Sequence, residues 1–187
     1  MPVTQALNAA ITGLGGGGGG GGPPLTPIDS NTSLGTTWTV EFVCDLYPTT
    51  FWATMWGNEV WNAGQGHLAY LTSTVNLNIG SPNAADEYTL AQDVSVKSYW
   101  AFTHSNGGGI SVYRNGTLLT PTFSAYVQPA SPAGNTLLYG SRHNNDGTGT
   151  TDTVSNGTFY WTNISADAKD AAYISSQYSI LQGIYGI

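Results

Sequence analysis

Trp38-Thr39-Val40-Glu41-Phe42-Val43-Cys44-Asp45 sets Trp38, Val40, Phe42 and Cys44 in alternation with Thr39, Glu41, Val43 and Asp45. A period of two puts successive side chains on opposite faces of an extended chain. This stretch therefore predicts a strand with one face turned to a core, in which Cys44 is a small buried hydrophobe. Further along, Ser98-Tyr99-Trp100-Ala101-Phe102-Thr103-His104 is followed by Gly107-Gly108-Gly109 and Ile110-Ser111-Val112-Tyr113-Arg114. Asn115-Gly116 then leads into Thr117-Leu118-Leu119. Asn-Gly between apolar-rich runs signals a two-residue hairpin, because both central residues of that turn need positive φ.

Residues 51–61, 67–72, 75–79, 136–139 and 157–164 read as further strands, with Gly64-Gln65-Gly66 as a turn. Many short strands with frequent turns predict an all-β, antiparallel two-sheet sandwich. One helix closes the chain. Ser165 is its expected cap, Asp167 and Asp170 sit in the first turns, and Ala171, Ile174, Tyr178 and Leu181 share a face. Gly183 is its expected end.

The composition agrees. Of 187 residues, 24 are Thr, 16 Ser and 14 Asn, whereas charged residues make up 8%, against about 25% in an ordinary soluble protein. Four Lys and Arg, scattered and outnumbered to a net charge of −7, cannot build the basic patch that phosphates require. Nucleic acid and anionic membrane surfaces are thereby excluded as expected partners. One cysteine rules out an intramolecular disulfide. The first residues lack the basic start and long apolar middle of a secretion signal, so synthesis in a cytoplasm is expected. The sequons at Asn31, Asn115, Asn156 and Asn163 then read as turns and strand ends.

Composition shifts near residue 25, which divides the chain into an arm (1–24) and a sandwich (25–187). The arm holds Leu7, Ala10, Ile11 and Leu14, then eight glycines, Gly15 to Gly22, then Pro23-Pro24. The glycine run reads either as a flexible spacer or as an element that lets backbones pack closely, since no Cβ intervenes.

Taken in order, the strand 38–43, the strand 100–104, the hairpin 110–117, Asn135-Thr136-Leu137-Leu138-Tyr139-Gly140 and the strand 157–164 with its helix resemble a known family. They are similar to the laminin-G-like members of the concanavalin A-like lectin/glucanase superfamily, over about residues 36–181. The resemblance implies a jelly roll. Its glucanase branch carries Glu-x-Asp-x-x-Glu, one carboxylate as nucleophile and one as acid. No such triplet occurs here, so a glycoside hydrolase is the disfavoured reading and no catalytic residue is expected. Calcium at a sandwich rim is the cofactor that the resemblance brings, with Asp146 and Asp152 in the polar stretch 142–152 as candidate ligands. A solvated hairpin loop is the plainer reading of that stretch.

Candidate glycan or interface residues are Trp52, Trp56 and Trp61, whose rings could stack on a sugar or on another subunit, with His143, Asn144 and Asn145. The short leading peptide, linker and laminin-G-like head also resemble surface modules of tailed-bacteriophage virions. That resemblance implies a non-enzymatic capsid decoration or head-fibre protein, made in the host cytoplasm and displayed on the virion surface. The arm would be bound to the major capsid protein or another virion protein. A homotrimer is expected. The alternative is a tail-fibre adhesin recognising a host glycan.

Overall fold

The computed structural model describes residues 24–47, 53–60, 65–73, 76–80, 88–121, 134–144, 148–151, 154 and 156–187. The poly-glycine run, Trp52, Trp61, Asn145, Asp146 and Asp152 lie outside the described residues. Among those described, thirteen strands form β1 (Ile28–Ser33), β2 (Trp38–Tyr47), β3 (Ala53–Gly57), β4 (Leu68–Ser73), β5 (Asn76–Gly80), β6 (Tyr88–Ala91), β7 (Ser98–His104), β8 (Ile110–Arg114), β9 (Thr117–Leu118), β10 (Thr136–Tyr139), β11 (Arg142–His143), β12 (Thr150–Thr151) and β13 (Asn156–Ser165). A helix, α1 (Ala171–Tyr185), ends the chain. It is too short to cross a membrane.

Two antiparallel sheets pack face to face as a jelly-roll sandwich. One has the order β1-β10-β3-β4-β5-β6 and the other β13-β2-β7-β8-β9. Trp38, Val40, Phe42, Trp100 and Phe102 from one sheet meet Met55, Trp56, Leu71, Ile79 and Tyr139 from the other in one continuous core. The Asn-Gly hairpin forms as expected: Asn115 has φ 49°, Gly116 has φ 75°, and Tyr113 pairs with Leu118 across the turn. Asn115 also anchors the turn to β7, its amide donating to Tyr99 O and its Oδ1 accepting from Tyr99 N, both at 2.9 Å.

Several expectations need correction. β2 is buried on both faces, not one, because α1 covers the outer side with Ile174 and Leu181, against Val43, Tyr99, Ala101 and Tyr113. Helix α1 is capped by Asp170, whose Oδ1 accepts from Tyr173 N at 2.8 Å, and not by Ser165, which still belongs to β13. Gly183 lies inside α1, which ends at Gly186 in the left-handed conformation. β1 and β6 were not expected, because Asp29-Ser30-Asn31-Thr32-Ser33 carries no apolar alternation and β6 is four residues long.

β3 carries a register shift between Thr54 and Trp56. Trp56 turns into the core, fully buried, 5.4 Å from the Trp38 ring and 5.3 Å from Phe102. It offers no surface to a glycan or a subunit.

Candidate functional site

A concavity lies where β1, an edge strand of the six-stranded sheet, faces β13, an edge strand of the five-stranded one. It has a volume of about 400 Å³, inside the roughly 300–1,000 Å³ of small-molecule sites. Ser30, Thr32 and Ser33 of β1 form one wall and Thr162, Asn163, Ile164 and Ser165 of β13 the other. The segment Leu34-Gly35-Thr36-Thr37 and Tyr139 of β10 complete the lining. Ser and Thr residues thus stand among Ile28, Leu34 and Ile164, a lining suited to a ligand with polar edges and apolar faces.

These walls are held in place. Tyr139 donates its hydroxyl to Asn163 O at 3.2 Å, tying one sheet to the other beneath the cleft. Ser33 Oγ donates to Gly134 O at 2.8 Å. His104 Nδ1 lies 3.0 Å from Thr36 O, and Thr37 Oγ1 accepts from Asn106 N at 3.3 Å. Along β1, Thr32 N donates to Ser30 Oγ at 3.1 Å and Asn31 N to Asp29 Oδ1 at 2.8 Å. The exposed edge strand therefore satisfies part of its own backbone with its own side chains.

Behind Asn163 sits a buried carboxylate. Glu41 accepts from Tyr99 Oη at 2.6 Å and from Asn163 Nδ2 at 2.9 Å. Burial raises the Glu41 pKa above its ordinary value, and the two hydrogen bonds and the Lys169 charge oppose that shift only in part. Tyr173 of α1 is pushed up to about 12, first by burial and then by the Glu41 charge. Thr39 Oγ1 donates to Asp167 O at 2.8 Å and accepts from Lys169 N at 2.9 Å, which fixes the turn into α1 over this network.

The sequence-predicted residues lie elsewhere. His143 Nε2 is 2.8 Å from Thr136 O, and Asn144 Oδ1 accepts from Thr148 N at 2.9 Å and Gly149 N at 3.2 Å. Asn144 thus closes its own β11–β12 hairpin. Its neighbour Arg142 is ion-paired with buried Glu59 at 2.6 Å. The described part of this hairpin gives calcium no carboxylate, and among the described residues no three His, Cys, Asp or Glu gather to hold a metal. Sequence reasoning missed Ser33, Gly35, Thr36, Asn163 and Ser165. The available signal was the hydroxyl-dense run Ser30 to Thr37 directly before the deciding strand.

No protein-family model and no curated protein matches the sequence. Solved structures do. A heptameric SAP-like pentraxin from Limulus polyphemus is 14% identical, with a TM-score of 0.60 over 84% of this chain and 80% of that one. The CBM40 of a Ruminococcus gnavus IT-sialidase, bound to α2,3-sialyllactose, is 12% identical with a TM-score of 0.59, over 84% of this chain and 95% of that one. The NanB sialidase of Streptococcus pneumoniae, 14% identical with a TM-score of 0.60, matches 84% of this chain, which spans only 27% of the sialidase. At these identities the likeness establishes the fold alone, a jelly-roll β-sandwich shared with these structures.

Proposed function

We propose that this chain is a non-enzymatic glycan-binding module displayed on a virion surface, with residues 1–24 as its anchoring arm. The observation that carries the binding role is the cleft between β1 and β13, lined by Ser and Thr residues of both strands. Its alternation of hydroxyls with Ile28 and Ile164 suits a pyranose, which has polar edges and apolar faces. The fold neighbours support it by analogy, since one is a CBM40 bound to α2,3-sialyllactose and another is a botulinum neurotoxin whose cell entry depends on two ganglioside molecules. The chain spans 37% of that neurotoxin, so the toxin's activity is not carried over.

The non-enzymatic part rests on the carboxylates. Glu41 is enclosed by Tyr99 and Asn163, and Glu59 is paired with Arg142. Each is engaged in the fold, whereas a glycosidase pair must flank a bound sugar. The virion part rests on the arm. Its apolar positions Leu7, Ala10, Ile11 and Leu14 precede the glycine run in sequence, and Leu25, just after the arm, packs on the core. The major capsid protein or another virion protein is the anchoring partner in this reading, and the displayed unit is a homotrimer.

A glycan array with the intact chain tests the binding role, and specific retention of a saccharide is the expected result. No retention at high micromolar protein would end it. Deleting residues 1–22 should leave the melting transition in place and abolish incorporation into particles. Incorporation of the truncated chain would remove the anchoring role.

A further inference from the structure

We infer that the β1/β13 cleft selects a neutral saccharide and discriminates against sialylated and other anionic glycans. This rests on the glycan-binding reading and specifies its ligand. A sialic acid carboxylate bound in a partly dehydrated cleft needs a cation or several charge-assisted donors facing it. The chain has four Lys and Arg in all, and all four are described.

Every one is engaged with another group of the protein. Lys97 Nζ donates to Tyr185 O at 3.0 Å and lies 4.6 Å from the Tyr160 ring centroid. Arg114 donates to Ser98 Oγ and Gln92 Oε1 at 3.1 and 3.0 Å and covers the Trp100 ring. Arg142 is paired with Glu59, and Lys169 with Asp167 at 2.8 Å. None of the four lines the cleft.

The groups around it have the opposite sign. Asn163, on the β13 wall, reaches back to the Glu41 carboxyl. Asp29 lies between Ile28 and Ser30, both lining residues, and the carboxylate of Asp167, next to the lining residue Ala166, is balanced by Lys169. With a net charge of −7, the long-range field also repels an anion. What the cleft presents instead is neutral: hydroxyl-bearing residues and backbone, which match sugar hydroxyls as donors and acceptors alike. A peptide strand is a poorer occupant, because β1 is irregular between Asp29 and Ser33 and caps its own amides at Asn31 and Thr32.

Gly35 supplies the test. A Cβ there meets only Thr37 O, at 4.0 Å, so a side chain is tolerated at this lining position. The intact protein, Gly35→Trp and, as a control outside the cleft, Gly183→Ala, whose added Cβ meets nothing within 4 Å, are applied to an array of matched neutral and sialylated glycans, with lactose and α2,3-sialyllactose titrated directly. Retention of neutral members at least about tenfold above their sialylated partners is expected, a difference of about 1.4 kcal/mol. It should persist at high salt, survive Gly183→Ala, and be lost in Gly35→Trp with an unchanged circular dichroism spectrum. Preferential binding of sialylated members, lost in Gly35→Trp, would overturn neutral selectivity and leave the glycan-binding reading standing. Neutral binding that survives Gly35→Trp would overturn the site. Absence of any glycan binding would overturn the reading on which the inference rests.

Discussion

On the inner face of the five-stranded sheet, Trp38, Phe42, Trp100 and Phe102 interlock with Trp56, Tyr139 and Phe159, ring centroids 5.3–6.4 Å apart. On its outer face, under α1, Val43, Ala101 and Ile174 share the space with Glu41, Tyr99 and Asn163. The inner layer is held by apolar and aromatic area, which is large and non-directional. The outer layer has only Ile174 and Leu181 of α1 fully buried and is positioned by hydrogen bonds to a carboxyl. One layer thus supplies stability, and the other supplies a fixed geometry for β13, the wall of the cleft.

Acid and base should break this pairing in opposite directions. His67 is buried in the inner layer, 5.1 Å from the Trp38 ring and 5.0 Å from His104. Burial, and secondarily the His104 charge, lowers its pKa from 6.5 to about 3. A histidine held neutral in the fold binds more protons when unfolded, so stability falls as pH drops from about 6.5 towards 3. The loss from this group approaches about 4–5 kcal/mol at the lower end. Glu41 has the reverse sign. Its raised folded pKa means that its unfavourable contribution is absent below the unfolded value of 4.5 and grows as pH rises through the folded one. Urea unfolding from pH 3 to 8 should show an acid limb that His67→Phe flattens and Glu41→Gln does not. An unchanged limb in His67→Phe would put the acid sensitivity elsewhere.

Core truncations sharpen the comparison at a somewhat smaller scale. Phe42→Ala removes a ring touching Phe102, Tyr139 and Phe159 and should cost about 3–5 kcal/mol of global stability. Ile174→Ala in α1 should cost about 2–4 kcal/mol. Their difference in kind is visible in amide exchange. Phe42→Ala should lower protection throughout β2 and β7, while Ile174→Ala should lower it mainly in α1 and the outer part of β13. Uniform loss in both variants would show that the two layers unfold as one.

The inner layer was legible in the sequence because its information is local. The alternation at Trp38 to Asp45 and the Asn115-Gly116 turn each declare themselves within a few residues. The outer layer was not, because what buries Glu41 and Val43 arrives from Asp167 to Leu181, far along the chain. A period-two pattern then reports one buried face where there are two. Register shifts hid more: one in β13 sends Phe159 into the core and Trp161 to the helix side, although they are two residues apart. The cleft was the least legible part. Its residues come from a strand without apolar alternation and from the far end of β13, and only the pairing of two sheet edges brings them together.

The smallest effect joins the two layers at one turn. Gly116 has φ +75°, and a Cβ added there would lie 3.1 Å from Tyr178 Cδ1 of α1. Gly186, the end of α1, has φ +65° and nothing within 4 Å of its added Cβ. An alanine at either position bears the strain of the left-handed conformation, about 1 kcal/mol or more. Only at position 116 must it also displace the Tyr178 ring, which stacks at 6.4 Å on Tyr99. Gly116→Ala should therefore cost about 2–3 kcal/mol, and Gly186→Ala only the backbone strain of about 1. The excess at 116 measures how firmly α1 is held against the hairpin. Combining Gly116→Ala with Tyr178→Ala should remove that excess and leave the backbone strain. An excess that persists without the Tyr178 ring would mean that the turn is strained for its own reasons and that the helix is not pressed on it.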